Sequence, residues 1–163
     1  MTMFEAIQIL PGASGTTRQL RILLYCRALS IFVPTGMRPM SSIRMLLADD
    51  YAPWRVQARK LLQQRPDCYI TEACDGMEAV QKAAELRPDI VLLDVDMPVL
   101  NGIEAANKIR EVTPQSRIVF VTQDGDADLK AAALAAGAEA YVLKANAATE
   151  LLPVIAAALQ CRY

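Results

Sequence analysis

The alternation of short apolar segments with amphipathic segments is the feature that most constrains the fold of this chain. It begins at Ile43 and repeats five times before about residue 160. Strands that alternate with helices in this way pair in parallel through right-handed crossovers, with helices on both faces of the sheet. We therefore predict an α/β fold: a flavodoxin-like, doubly wound (βα)5 domain with a five-stranded parallel sheet in the order 2-1-3-4-5.

Proline, glycine and asparagine separate the predicted elements. Pro53 suits the first turn of the first helix, whose apolar stripe we assign to Val56, Leu61 and Leu62. Asp75-Gly76 and Asn101-Gly102 introduce the next two helices. The predicted strands cover residues 43–48, 68–73, 116–122 and 140–143, with the buried run that starts at residue 90 between the second and third of these.

The charges are distributed unevenly along the chain. Residues 1–42 carry four arginines and one glutamate, whereas residues 43–163 carry 13 basic and 17 acidic side chains. An acidic balance does not suit a phosphate backbone, so we expect no direct contact with nucleic acid. The apolar segment 20–33 is interrupted by arginine and is too short for a membrane span, so we expect no membrane role. We interpret residues 1–42 as an N-terminal extension, helical or disordered, and residues 43–163 as the domain.

Histidine and cysteine narrow the possible chemistry. The chain has no histidine, which excludes Ser-His-Asp and Cys-His catalysis and most zinc sites. Its four cysteines show no CxxC spacing. Scattered cysteines of this kind are typical of reduced thiols, so we expect a cytoplasmic protein.

Polar residues follow four of the five predicted strands. Asp49 and Asp50 follow the first strand, Asp94 follows the third, Thr122 ends the fourth, and Lys144 follows the fifth. In this topology these positions share one edge of the sheet, where ligand sites of open α/β folds form. Clustered carboxylates repel each other unless a cation lies among them, and oxygen ligands favour Mg²⁺ or Mn²⁺. A metal, a lysine and a hydroxyl around a free carboxylate suit phosphoryl transfer with Asp94 as the nucleophile.

Each of these residues alone also fits a purely structural role. Asp49 and Asp50 could cap the following helix, and Asp94 could be an ordinary turn residue. Thr122 alone is typical of a strand end, and Lys144 alone is typical of a solvated surface. Their joint occurrence at the ends of the correct strands is what favours a functional site.

Five short segments carry a further indication when they occur together: LLADD at 46–50, LLDVDMP at 92–98, NG at 101–102, VT at 121–122 and YVLK at 141–144. In this combination they resemble the receiver domain of response regulators in two-component signalling. The resemblance covers the chain from residue 43 to about residue 160. It implies a signalling protein that is phosphorylated in a phosphorelay, rather than an enzyme with a substrate of its own.

The resemblance also implies a role for each residue of the site. Asp94 would accept phosphate from a histidine kinase or a phosphotransfer protein. Asp50 and Asp94, with the backbone carbonyl of Asp96, would bind Mg²⁺, and Asp49 would assist through water. Lys144 would pair with Asp94 or with its phosphoryl group.

Two further residues would transmit the signal. Thr122 would reach the phosphoryl oxygen in the active state, and Tyr141 would change between outward and inward rotamers. The alternative for Tyr141 is a purely structural role as a half-buried strand aromatic. The surface that changes would consist of the fourth helix, the fifth strand and the fifth helix. A separate downstream protein, or a second copy in a homodimer, would bind there.

Local details resemble receivers that are joined to a helix-turn-helix output domain. The chain ends at Tyr163, so we expect a stand-alone receiver. Two other classes of protein remain as alternatives to a receiver. A haloacid-dehalogenase-like phosphohydrolase also uses an acid pair such as Asp94 and Asp96, but it has threonine where this chain has Pro98. A pseudo-receiver, an interaction module that takes no phosphate, is disfavoured by the complete set of acids, threonine and lysine.

Overall fold

The structure, a computed structural model, describes residues 42–160. The predicted N-terminal extension therefore lies outside the described residues, apart from its last residue. The elements of the described part are, in chain order, β1 (Ile43–Ala48), α1 (Ala52–Leu62), β2 (Cys68–Ala73), α2 (Gly76–Leu86), β3 (Ile90–Leu93), α3 (Gly102–Val112), β4 (Arg117–Thr122), α4 (Ala127–Ala135), β5 (Ala140–Leu143) and α5 (Ala147–Gln160).

The five strands form one parallel sheet in the order β2-β1-β3-β4-β5, which confirms the predicted topology. β3 is central, and all four of its residues are buried. This explains why its sequence is continuously apolar, since a central strand of a doubly wound sheet is covered on both faces. β1 and β3 are in register up to Ala48 and Leu93, so Asp49 and Asp94 begin the loops at the same level of the sheet.

Helices cover both faces of the sheet. α1 and α5 share a buried cluster with one side of the strands, which includes Leu47, Leu92 and Val121. α2, α3 and α4 pack on the opposite side against strand residues such as Leu46 and Phe120. Within residues 42–160, none of the helices has the length and apolar character that crossing a bilayer requires.

The helices begin at the edge of the sheet where the strands end. Asp75 caps α2 by accepting a hydrogen bond from the Glu78 amide, and Asn101 caps α3 in the same way through the Glu104 amide. Gly102 is required at the start of α3 because a Cβ there would lie 1.9 Å from the carbonyl oxygen of Asp94. The backbone after Asp94 is thus fixed closely against a helix N-terminus.

The apolar stripe of α1 differs from the prediction. Val56 is 55% exposed, whereas Trp54, Ala58 and Leu62 are buried. Those three residues recur at intervals of four and lie on one face, while Val56 is two positions from Trp54 and therefore lies almost opposite. The prediction was correct for Leu62, but Leu61 lies only at the margin of the core, and the prediction missed Trp54.

Candidate functional site

Three carboxylates meet at the carboxyl ends of β1 and β3. Oxygen atoms of Asp49, Asp50 and Asp94 all lie within 4.8 Å of one another. Asp49 is 1% exposed and Asp94 5% exposed, whereas Asp50 faces solvent. The arrangement is an acidic cluster that is buried on one side and open on the other, as the sequence predicted.

Lys144 bridges the two buried acids. Its Nζ atom lies 2.6 Å from Asp49 Oδ2 and 2.7 Å from Asp94 Oδ2, and its side chain is only 7% exposed. Burial alone would lower the pKa of Lys144, but the close polar contacts with Asp49 and Asp94 and their charges outweigh burial and raise that pKa. Lys144 is therefore a charged ammonium in the site, which excludes the solvated surface role.

Asp49 belongs to the cluster rather than to a helix cap. Its Oδ1 accepts a hydrogen bond from the Tyr51 amide at 2.9 Å, but Tyr51 precedes α1 without any side-chain cap. Burial raises the pKa of the Asp49 carboxyl, and the Asp94 charge adds to that rise, against the opposing effects of Lys144 and the Tyr51 amide. Lys144 and the Tyr51 amide therefore compensate only part of the combined effect of burial and the Asp94 charge on this pKa.

The Asp49 carboxylate also shows that the cluster fits a cation. Asp49 Oδ2 is buried and makes no hydrogen bond within residues 42–160, although it forms an ion pair with Lys144 Nζ at 2.6 Å. Carboxylate oxygens are the donors that Mg²⁺ prefers. The acids of this cluster could hold such an ion.

Asp94 is the carboxylate with the most tightly specified position. Its amide donates to the Ala48 carbonyl at 2.9 Å, its Oδ1 accepts from the Val95 amide at 2.8 Å, and its Oδ2 accepts from Lys144 at 2.7 Å. Both carboxylate oxygens are thus oriented, and neither is used to cap a helix. This arrangement suits a nucleophile or a metal ligand better than a turn residue.

Thr122 and Tyr141 are connected through the loop that follows β4. Thr122 is fully buried, and its hydroxyl oxygen lies 3.4 Å from the Asp124 amide. The Tyr141 hydroxyl donates to the Asp124 carbonyl at 2.6 Å, and its ring is half-buried beside Phe120. Burial, followed by the nearby acidic residues, raises the pKa of Tyr141. Both predicted switch residues therefore contact the same loop residue.

The structure does not bring every predicted residue into the cluster. The side chain of Asp96 is exposed, and the proposed role of its backbone carbonyl stays a prediction. Two residues that the sequence analysis did not identify contact the site. Trp54 lies beneath Lys144, with the ring centroid 5.6 Å from Nζ, and Arg55 Nη1 donates to the Asp49 carbonyl at 2.7 Å. Both lie in the first turn of the helix that follows the acid pair, and this position in the sequence indicates that they are near the site.

Comparison with known proteins agrees with this geometry. The response regulator receiver domain family matches residues 45–156. The transcriptional regulatory protein LiaR of Bacillus subtilis is 38% identical over 71% of this chain and 56% of its own length. The chemotaxis protein CheY of Thermotoga maritima is 35% identical over 62% of this chain and 84% of its own length. The chain thus spans about half the length of the transcriptional regulator.

Solved structures show the same fold. A LuxR-family response regulator from Aurantimonas sp. has a TM-score of 0.70 and 36% identity, with 75% of this chain and 88% of that chain covered. A chain of the CheX–CheY–BeF3–Mg²⁺ complex from Borrelia burgdorferi has a TM-score of 0.66 and 26% identity, with coverages of 71% and 87%. This fold is typical of signalling proteins, and the chain belongs to the response regulator receiver domain family of two-component systems.

Proposed function

We propose that this domain is the phosphoacceptor of a two-component phosphorelay and that Asp94 receives the phosphoryl group. The observation that carries the proposal is the position of Asp94, which presents one oxygen to the Lys144 ammonium at 2.7 Å within a cluster of three acids. The family of the chain supports the same assignment. The complete acid, threonine and lysine set gives no support to a pseudo-receiver.

The transfer would proceed from a phosphohistidine of a kinase or phosphotransfer protein. A carboxylate oxygen of Asp94 forms the new P–O bond while the P–N bond to the donor imidazole breaks, and the imidazole takes up a proton as it leaves. Lys144, which contacts Asp94 at 2.7 Å, would neutralise one oxygen of Asp94 and one phosphoryl oxygen. Thr122, at the end of the neighbouring strand, would donate its hydroxyl to another phosphoryl oxygen.

Mg²⁺, with Mn²⁺ as a possible substitute, is the cation that we assign to the acidic cluster. Asp50 and Asp94 would hold it with the carbonyl of Asp96, and Asp49 would contribute through water. The ion would supply charge neutralisation for the incoming phosphoryl oxygens. The similar Borrelia burgdorferi chain was determined in a complex with Mg²⁺, which supports this choice.

Phosphorylation by a small phosphodonor in the presence of Mg²⁺ tests the proposal. We expect intact-mass spectrometry to show one added phosphoryl group, which hydroxide removes and mild acid does not. Asp94→Asn should abolish the addition. Asp75→Asn is the matched control, because it changes a carboxylate at the same sheet edge and keeps a good N-cap for α2. An unmodified parent protein, or a phosphoryl group retained in Asp94→Asn, would contradict the assignment.

We further propose that the Asp124 loop links the phosphorylated site to Tyr141. Movement of Thr122 towards the phosphoryl group would shift the loop whose carbonyl accepts the Tyr141 hydrogen bond, and this would bias the rotamer of the ring. NMR of Tyr141 during titration with BeF3⁻ and Mg²⁺ tests the link. We expect its resonances to move in the parent and to move less in Thr122→Ala, and an unmoved Tyr141 in the parent would disprove it.

The output in this proposal is a changed protein-binding surface formed by α4, β5 and α5. A downstream protein target or a second copy of the chain would bind it in the cytoplasm. The net acidity of residues 43–163 supports a protein rather than a nucleic-acid partner for the receiver itself. Sedimentation with and without BeF3⁻ and Mg²⁺ distinguishes the homodimer from a monomer that requires another protein. We expect residues 1–36 to be dispensable for phosphorylation, which a chain starting at Met40 tests.

A further inference from the structure

Trp54 lies next to the site but makes no contact that the proposed phosphotransfer requires. It is in the first turns of α1, four residues after Asp50, and it is 6% exposed. The Lys144 ammonium lies over its ring at 5.6 Å from the centroid, within the range of a cation–π interaction. The sequence contains one tryptophan, so this is where the chain places its most π-rich side chain.

Core packing alone does not account for tryptophan at this position. The indole Nε1 is buried and has no hydrogen-bond acceptor within residues 42–160. An unsatisfied buried N–H group is destabilising, and phenylalanine or leucine would fill an apolar position without that cost. What the indole provides beyond those residues is a stronger attraction for a cation above its face.

A third contact helps to hold the long Lys144 side chain in one position. Its side chain is long and has several rotatable bonds, so it loses considerable conformational entropy when it is held in place. Asp49 and Asp94 are both buried and both contact the same Nζ. The Trp54 ring lies below the ammonium and supplies a third, uncharged point of contact.

We propose that Trp54 is a positioning residue that holds the Lys144 ammonium at the phosphoacceptor site through a cation–π contact. The acid pair lies in the loop that joins β1 to α1, and Trp54 lies in the first turn of α1, so only three residues separate Trp54 from Asp50. This role rests on the proposed phosphorylation of Asp94. The contact itself exists independently of it and is tested independently.

The first experiment measures the contact. An ammonium-bearing chain above an indole face has its ε-methylene protons shifted upfield by the ring current. We expect these Lys144 resonances to move downfield in Trp54→Leu and to a smaller extent in Trp54→Phe, with no movement in the control Leu62→Val, which changes a buried residue of the same helix. Unchanged Lys144 resonances in Trp54→Leu would overturn the proposal.

The second experiment separates positioning from general packing. With a small phosphodonor and Mg²⁺, we expect Trp54→Leu to slow phosphorylation about fivefold and Trp54→Phe about twofold, in the range that a partly desolvated cation–π contact supports. In a Lys144→Met background, Trp54→Leu should cause no further slowing, because its effect acts through Lys144. An equal factor in both backgrounds would assign Trp54 to the core alone and overturn the proposal.

The experiments remain decisive even where a variant does not fold. Should Trp54→Leu be too unstable to fold, the same double-mutant cycle is carried out with Trp54→Phe, which keeps an aromatic ring and removes the unsatisfied N–H. Absence of phosphorylation in the parent would refute the proposed function, whereas the NMR result would still decide whether Trp54 holds Lys144. A normal rate in a folded Trp54→Leu variant would refute the positioning role while the proposed function stands.

Discussion

Removal of the Lys144 ammonium provides the sharpest test of the charge arrangement. Lys144→Met keeps a flexible apolar chain of similar length and leaves Asp49 and Asp94 without their shared cation. The three side chains are between 1% and 7% exposed, so the pair is a buried one. Breaking a buried ion pair by removing one partner costs about 3–5 kcal/mol. The exposed Asp50 side of the cluster admits water, which places the expected loss near 3 kcal/mol, or about 10 °C in melting temperature.

The matched control is Lys82→Met. Lys82 Nζ also lies 2.6 Å from a carboxylate, that of Glu78, but both side chains are about one-third exposed. Surface pairs of this kind contribute about 0–1 kcal/mol. Guanidinium denaturation of parent, Lys144→Met and Lys82→Met without divalent cations gives the comparison directly. If the two variants lose the same free energy of unfolding, then the assignment of Lys144 to a buried charge bridge is wrong.

Mg²⁺ adds a second readout to the same variants. A ligand that binds the folded state stabilises it by mass action, and removal of a competing ammonium leaves the acids free for the ion. We therefore expect millimolar Mg²⁺ to raise the free energy of unfolding more in Lys144→Met than in the parent. The effect of Mg²⁺ on Lys82→Met should equal its effect on the parent. An equal effect of Mg²⁺ on all three proteins would refute the reasoning that one ammonium and one cation share these carboxylates.

Three further predictions concern the backbone and the acids of the site. Gly102→Ala should lower the free energy of unfolding by about 2 kcal/mol and slow phosphorylation, because its Cβ would lie 1.9 Å from the Asp94 carbonyl oxygen. Gly125→Ala is the control, since a Cβ there meets its nearest neighbour at 3.6 Å, and it should change neither quantity. Val99 has a φ of 67°, which strains a β-branched residue, so Val99→Gly should raise the free energy of unfolding by about 1 kcal/mol, as denaturation measures, and a loss of stability would contradict this. The raised pKa of Asp49 means that the folded state binds the Asp49 proton more tightly than the unfolded chain does. Without Mg²⁺, the Asp49 contribution to stability therefore falls as the pH rises from 3.8, the ordinary pKa of the carboxyl, through the higher pKa of the folded state. Asp49→Asn should remove that dependence, and an unchanged pH profile of stability would contradict the burial of the charge.

The strand order and the gathering of the acids could be predicted because both follow from local patterns. Short apolar runs bounded by turn residues define the strands, and alternation with helices fixes a parallel sheet. Asp49, Asp94 and Lys144 each come directly after such a run. A parallel topology brings those positions to one edge whatever the details of packing, so the sequence was sufficient to place them together.

The helix faces were harder to predict because they depend on where each helix begins. In α1 a difference of two residues moves a side chain to the opposite side of the helix. Val56 is a strong apolar residue and was assigned inward, yet it is exposed, and the larger Trp54 occupies the interior. The Trp54–Lys144 contact joins residues 90 positions apart, from α1 and the end of β5, and no local pattern reports on such a pair.

The distribution of charge in the site supports the proposed binding of a cation. Three carboxylates face one ammonium, which leaves the cluster with a formal charge of −2 at the surface end of a buried sheet edge. Lys144 compensates the burial of Asp49 only partly, since the pKa of Asp49 stays raised despite a 2.6 Å contact. Asp50, which is the exposed member, faces the side from which an ion would enter. The fold therefore holds the Asp94 carboxyl in a fixed orientation and leaves excess negative charge next to it, which would attract the divalent cation of the proposed phosphotransfer.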